Sequence, residues 1–156
     1  MGYFNITEER FDIMINFIGK QGGRIHLLRL EPGDLLLESI HEYTAQEGIN
    51  NAYVPVGVAT LSECVMHMVM TTGYPAVEHF ERWEDSPLEV AGLSGVIVGG
   101  KAHLHMIVSN HEKAWAGHVE PGCRILYRCE LVIHEIEDIE MVRGYDEMGN
   151  EVLCKP

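Results

Sequence analysis

The sequence predicts an α+β fold, mainly antiparallel β-sheet with one principal helix packed on it. Three observations lead to this expectation. Apolar and polar residues alternate through most of the chain, as they do in strands with one buried face. Apolar residues recur with clear helical spacing in one segment, residues 35–47. Breakers such as Gly99-Gly100 and Pro121-Gly122 separate the alternating runs.

The elements follow one another along the chain with few long gaps. The alternating or Val-rich runs predict strands over residues 11–17, 24–30, 51–60, 63–70, 77–83, 88–98, 102–108 and 125–136. A loop after Val108 is expected to return the chain towards the strand before it. The last twenty residues are acidic, and Gly144 and Gly149 favour an irregular structure there.

The helix has a start signal and a stop signal. Asp34 is expected to cap its N-terminus, because a carboxylate oxygen can accept one of the unpaired backbone N–H groups of the first turn. Gly48 is expected to end it, because glycine adopts the left-handed conformation at little cost. We divide the chain into an N-terminal extension (1–23), one domain (24–136) and an acidic C-terminal tail (137–156).

Charge limits the partners of this chain. It has 11 Lys and Arg against 24 Asp and Glu, a formal charge of −13, and protonating all nine histidines would still leave −4. Nucleic-acid affinity comes largely from basic residues that neutralise phosphates, and here these residues are scattered singly. Direct nucleic-acid binding is therefore disfavoured. No apolar run reaches the ~20 residues of a membrane helix, and the charged N-terminus is unlike an export signal, so we expect a cytoplasmic protein.

The four cysteines show no CxxC spacing of a redox or zinc-ribbon motif. Cys123 and Cys129 are expected on one strand, about 20 Å apart at 3.3 Å per residue. Their separation exceeds the ~7 Å that a disulfide spans. All four cysteines, which include Cys64 and Cys154, are expected to be reduced and buried.

The histidines carry the most specific signal of chemistry. On a strand over 102–108, His103 and His105 project from the same face, about 6–7 Å apart at Cα. Both could bind one ion at Zn–N distances near 2 Å. A His-x-His pair is also common as a simple polar face. His118 lies 13 residues further on and directly follows Gly117. His111 competes with it for the third position, although an exposed turn with Asn110 and Glu112 is expected there.

The remaining histidines stand singly and are expected to be solvated or hydrogen-bonded side chains: His26, His41, His67, His79 and His134. No serine lies in a nucleophile elbow, since Leu93-Ser94-Gly95 lacks the G-x-S-x-G frame. The glycines at 92, 95, 99 and 100 precede strands, whereas a phosphate loop opens a helix. We interpret them as bulge or close-packing positions.

An ordered series of motifs resembles the PPC domain (plants and prokaryotes conserved domain) over roughly residues 24–135. The motifs are Leu30-Glu31-Pro32-Gly33-Asp34, Val56-Gly57-Val58-Ala59, Pro87-Leu88-Glu89-Val90, Leu93-Ser94-Gly95, His103-Leu104-His105 and Gly117-His118-Val119-Glu120-Pro121-Gly122. The resemblance implies an α+β fold that assembles as a homotrimer. It also implies a metal, zinc foremost, on His103, His105 and His118, the set typical of stand-alone prokaryotic members.

Three functions stay open on this basis. The first is a trimeric protein whose three-histidine zinc site binds a small-molecule ligand or a partner, with metal-activated water and Glu120 as base if it is catalytic. The second is a DNA-binding or DNA-associated regulator, by analogy with plant AT-hook proteins that contain the domain. The Arg-Gly-Arg-Pro core of an AT-hook is missing, and its nearest fragment is Arg143-Gly144. The third is a structural trimerisation module without metal.

Overall fold

A computed structural model describes residues 22–156 and two short N-terminal segments. These segments, β1 (Arg10–Phe11) and β2 (Met14–Ile15), pair antiparallel with each other. The single strand expected over 11–17 falls largely outside the described residues, and its described parts are two strands rather than one. The division of the chain at residues 23 and 136 stays a prediction.

One helix and nine further strands make up the rest of the described chain. In order they are β3 (Ile25–Leu30), α1 (Leu36–Glu47), β4 (Asn51–Val69), β5 (Glu78–Trp83), β6 (Leu88–Val98), β7 (Lys101–Ser109), β8 (Ala114–Val119), β9 (Arg124–Glu135), β10 (Val142–Tyr145) and β11 (Glu151–Cys154). All pairings between them are antiparallel. The predicted fold class, antiparallel sheet with a single helix, is confirmed.

The main sheet has seven strands and curls back on itself. Its order is β3-β9-β4-β6-β7-β8, with β5 on the end of β4. The strand β4 is long enough to pair twice: its first part lies between β6 and β9, and its last part bonds β5 and β8. Because β8 also pairs with β7, strands β4, β6, β7 and β8 form a closed circuit.

Residues 51–69 form one 19-residue strand, where the sequence predicted two. Register shifts interrupt its pairing with β9 near Val56 and near Leu61. Such irregularities bend a strand without ending it, and this bend carries the chain from one part of the sheet to the other. The sequence predicted two strands because a run rich in valine and small residues over 51–60 gives way to an alternating run over 63–70.

The helix lies on one face of the sheet and buries Leu36, Leu37 and Ile40 in the main core. Gly48 ends it in the left-handed conformation, with φ 67°, as predicted. The Asp34 cap is wrong. Leu35 occupies the capping position without a side-chain bond, and the Asp34 carboxylate accepts the backbone N–H of Glu31 instead.

Tertiary pairing explains why the cap differs. The first helical N–H, that of Leu36, donates to the carbonyl of Cys123, 2.8 Å away. Leu35 also bridges to Arg124 at the start of β9. The approach to β9 therefore satisfies the helix start with a backbone acceptor that is distant in sequence, which leaves Asp34 to close the preceding turn.

Two segments expected to be irregular form strands. The stretch after Val108 turns tightly at Asn110, whose side-chain oxygen accepts the N–H groups of Glu112 and Lys113, and then forms β8. In the tail, β10 and β11 form a hairpin whose turn is closed by hydrogen bonds to the Asp146 carboxylate. In both places a side chain that accepts several N–H groups makes the turn, a contribution that alternation alone does not register.

The four cysteines are free thiols, as predicted. Cys123 lies just before β9 and does not share the strand with Cys129, which corrects the expected placement. Cys154 is half-buried, whereas the other three are buried. In the part of the chain that the structure describes, no helix is long and apolar enough to cross a membrane.

Candidate metal centre

Strand register brings three histidines into one row. His118 on β8 lies opposite His105 on β7 and opposite His67 on β4. Residues directly opposite each other in neighbouring strands project from the same face of the sheet. His103, two residues before His105, projects from that face too. The sheet therefore gathers four imidazoles on its outer side.

Two glycines permit the close backbone packing that the row requires. A Cβ on Gly117 would lie 2.7 Å from the carbonyl oxygen of His67, and one on Gly95 would lie 2.1 Å from that of His103. Both distances are too short for any side chain. Gly117 thus lets β8 approach β4 closely, and the close packing expected at Gly95 is confirmed; both contacts fix strands that carry a histidine.

His103, His105 and His118 face one another at ligand-like distances. The Nε2 atoms of His103 and His105 are 3.4 Å apart, and one ligand nitrogen from each of the three rings lies within 4.8 Å of the others. Two nitrogens held about 2.05 Å from a tetrahedral zinc ion would be about 3.3 Å apart. The rings of His103 and His105 are nearly parallel, and that of His118 is perpendicular to both.

Electrostatics favour neutral imidazoles in this cluster. Burial, reinforced by His103 and His67, lowers the pKa of His118 to about 4. The pKa of His103 is also lowered, first by partial removal from water and then by the Arg143 guanidinium and by His105. A metal binds the neutral ring, so His103 and His118 present their donors in the required form at neutral pH.

The depressed pKa predicts an acid-sensitive fold for the metal-free protein. An unfolded histidine takes up its proton near pH 6.5, whereas His118 in the folded chain does so only near pH 4. Between these values the unfolded state binds more protons, so we expect the free energy of unfolding to fall as pH falls from 6.5 to 4. Urea unfolding across this range should show a smaller fall for His118→Gln than for wild type. An equal fall in both proteins would contradict the assignment.

His67 is the site residue that the sequence analysis missed. It stacks on His118 with ring centroids 4.5 Å apart, and its Nδ1 lies 2.6 Å from the Glu120 carboxylate. Ligand atoms of His67, His118 and Glu120 form a second group compatible with a metal. The sequence did indicate that His67 projects from the face of its strand opposite to Met66 and Met68. No local spacing, however, links His67 to His118.

The other histidines lie apart from the cluster. His111 competed with His118 as the third ligand in the sequence analysis. Its side chain is 88% exposed in the turn before β8, away from the other imidazoles. The rest have hydrogen-bonded partners, as predicted: His26 with Tyr43 and Glu135, His41 with the Ala102 N–H, His79 with Glu81, and His134 with Tyr53.

Two clefts flank the three-histidine group. One, of about 320 Å³, is lined by His103 and His118 together with residues of the C-terminal hairpin. The other, of about 340 Å³, is lined by His105 and by residues of β4, β6 and β8. Both volumes are at the lower end of the range for small-molecule pockets. Because the two clefts lie on different sides of the group, a small molecule can reach the imidazoles from two directions.

Comparison with known proteins identifies related sequences. A family model of the Plants and Prokaryotes Conserved (PCC) domain matches residues 18–137. The protein named "Bifunctional protein GlmU" of Synechococcus sp. strain JA-3-3Ab is 30% identical over 140 residues, which cover 85% of this chain and 21% of that protein. Its namesake in strain JA-2-3B'a(2-13) is 27% identical over 124 residues, or 79% and 18%. This chain thus spans about a fifth of the curated relatives it matches.

Solved structures share the fold. A metal-containing protein from Archaeoglobus fulgidus superposes with a TM-score of 0.73 at 21% identity, over 86% of this chain and 96% of that one. A plant- and prokaryote-conserved protein from Pyrococcus horikoshii gives 0.74 at 20% identity, over 87% and 94%. A putative DNA-binding protein from Bacteroides thetaiotaomicron gives 0.73 at 16% identity, over 86% and 94%.

Proposed function

This chain belongs to the Plants and Prokaryotes Conserved domain family, and from that premise we propose that it is a homotrimer with a zinc site on His103, His105 and His118. The site binds a small molecule or a partner. The observation that carries the proposal is the 3.4 Å spacing of the His103 and His105 Nε2 atoms, with the third imidazole within 4.8 Å of both. Zinc analysis of the purified protein and of its histidine variants tests it.

The donor set fits zinc better than a hard cation. Imidazole nitrogens suit zinc and its transition-metal neighbours, whereas Mg²⁺ and Ca²⁺ prefer oxygen ligands. Three protein ligands leave a fourth position for water or a ligand, the arrangement of open rather than structural zinc sites. A bound zinc ion would supply Lewis acidity and would lower the pKa of a water in that position.

We assign Glu120 a positioning role in place of the general base suggested by its place in the sequence. Its carboxylate is hydrogen-bonded to Nδ1 of His67, and His67 stacks on His118. The pair therefore holds the His118 ring in place from behind, as residues next to metal ligands commonly do. A carboxylate engaged in this way supports a positioning role rather than that of a general base.

The open face of the sheet supports assembly. We use this name for the surface of Ile25, Leu27, Val56 and Val58, which are 48–77% exposed. It points away from the helix, because the intervening His26 bonds Tyr43 of α1. Leu27 and Val56 lie in one cross-strand row, on either side of a β9 residue. A contiguous apolar surface of this kind marks an interface more often than a solvated face.

The open face lies on the same side of the sheet as the histidines. A row of successive cross-strand neighbours connects the two, in the order Ile25 on β3, His134 on β9, Tyr53 on β4, Val96 on β6 and His103 on β7. A second subunit on this face would therefore lie on the same side of the sheet as the histidines, although His103 is four strand spacings, or about 19 Å, from Ile25.

DNA-associated regulation is the rival function, since two proteins of this fold are described as putative DNA-binding proteins. A chain with a formal charge of −13 repels phosphates, and phosphate neutralisation provides most non-specific affinity. We therefore expect no measurable binding to an A·T-rich duplex at about 50 mM salt. Fluorescence anisotropy checks this, with a basic DNA-binding protein as positive control. Binding that weakens steeply with added salt would favour the rival.

A further inference from the structure

The cleft beside His103 and His118 is lined by cationic side chains from two separate parts of the chain. Lys101 comes from the start of β7, and Arg143 comes from β10 in the C-terminal hairpin. Glu151 on β11 is the acidic residue of the lining. The hairpin follows residue 137, where the match to the family model ends, so these contributions add to the shared core.

Neither Arg143 nor Lys101 has an ion-pair partner within 4.0 Å in the described part of the chain, and the same holds for Arg128 and Lys113, which lie outside this cleft. Other arginines do: Arg24, Arg29, Arg82 and Arg124 each pair with a glutamate. In a chain with 24 acidic residues and 11 basic ones, carboxylate partners are abundant. Two unpaired cations in one cleft therefore leave their charge available to something else.

His41 adds a neutral donor to the same lining. Its Nε2 accepts the backbone N–H of Ala102 at 3.1 Å, so a neutral His41 carries its hydrogen on Nδ1. The polar lining then comprises a guanidinium, an ammonium and an N–H group against the single Glu151 carboxylate. This set favours an anion, and the two imidazoles of the proposed zinc site lie in the same wall.

We propose that this cleft binds a small organic anion, a carboxylate or phosphate monoester, through Arg143 and Lys101. The proposal rests on the proposed function, and it specifies the ligand class of that site. A guanidinium binds such groups through two parallel hydrogen bonds, and an ammonium adds a compact charge beside it. A second polar group of the same ligand would lie beside His103 and His118, which line the same cleft and would hold the metal.

The size of the cleft restricts the ligand further. Its volume of about 320 Å³ equals roughly ten waters at about 30 Å³ each. A metabolite of a few carbon atoms fits this space, whereas a nucleic acid strand or a folded domain does not. The lining carries two cationic side chains against one carboxylate, so it favours anions more than the rest of this acidic surface does.

Isothermal titration of the full-length protein, loaded with Co²⁺ and also metal-free, tests the proposal with inorganic phosphate and with malonate as probes. We expect Arg143→Gln to weaken binding of at least one probe roughly 10-fold or more, because a charge-assisted hydrogen-bond pair is lost. Lys101→Gln should weaken it less. Arg128→Gln is the matched control, because this substitution removes the same charge from a residue on β9 that lies outside this cleft.

The outcomes separate this inference from the zinc proposal. Equal affinity of Arg143→Gln and Arg128→Gln for both probes would overturn the anion site, even if Co²⁺ binds normally. Failure of the wild-type protein to bind either probe at about 10 mM, a concentration far above the dissociation constant of a specific site, would also overturn the anion site. A selective loss in Arg143→Gln without any metal binding would support the anion site and would overturn the metal proposal instead. Preference between phosphate and malonate distinguishes the two anion classes.

Discussion

Replacing His118 with alanine is expected to abolish stoichiometric zinc binding. His118 stands at right angles to both other rings, so its loss leaves two nearly parallel imidazoles that cannot enclose an ion. The affinity should fall by more than the roughly 10–100-fold that follows loss of a residue bonded to a ligand. His103→Ala should have a similar effect. Elemental analysis and competition with a chromogenic chelator measure both.

The controls separate loss of ligands from loss of fold. His111→Ala removes an 88% exposed imidazole and should leave zinc content unchanged. His118→Gln keeps a polar side chain of similar length, so its thermal unfolding shows whether the strand pairing survives. Stoichiometric zinc in both His103→Ala and His118→Ala, with native stability, would contradict the proposed site.

The second ligand group gives this experiment a further discriminating arm. If the metal lay on His67, His118 and Glu120, His67→Ala would remove it and His103→Ala would leave it in place. If it lies on the proposed three histidines, His103→Ala removes it. His67→Ala then weakens it only moderately, because His67 orients the His118 ring without binding the ion. The pair of variants therefore identifies the ligand set without a structure of the complex.

Replacing Leu27 with aspartate is expected to convert the proposed trimer into monomers. Leu27 is 77% exposed on β3, the edge strand of the open face, so a new carboxylate does not disturb the core of the subunit. In an interface the same carboxylate would be buried without a partner, which costs far more than the contact it replaces. Size-exclusion chromatography with light scattering measures the change directly.

Val77→Asp is the matched control for the interface. Val77 is 57% exposed in the segment before β5, outside the open face, and the same substitution there should leave the trimer intact. A wild-type monomer, or a Leu27→Asp protein that still elutes as a trimer, would contradict the proposed assembly. A trimer whose size and thermal stability ignore a chelator would favour a structural module without metal.

Local pattern accounts for what the sequence predicted correctly. The alternation at His103-Leu104-His105 places two imidazoles on one face, since side chains in a strand alternate with a period of two. Leu104 is buried, as this requires. Gly48 ends the helix through its own backbone conformation. In each case, the physical cause lies within a few residues, so that the sequence displays it directly.

The errors arose where distant backbone decided the outcome. Asp34 is a sound capping residue by type, yet the carbonyl of Cys123 occupies its place. Residues 51–69 contain irregularities that resemble a strand break, yet two sets of neighbours keep them in one strand. Pairing energy from other strands overrides such local preferences, and the sequence does not show which strands will be adjacent.

The histidine cluster divides along the same line. Strand periodicity predicts that His103 and His105 share a face, and the family motifs add His118. The folded sheet places β8 between β7 and β4, which sets His118 opposite both His105 and His67, and the C-terminal hairpin brings Arg143 to the adjoining cleft. Strand periodicity is a property of a few consecutive residues, whereas register between strands depends on the packing of the whole sheet.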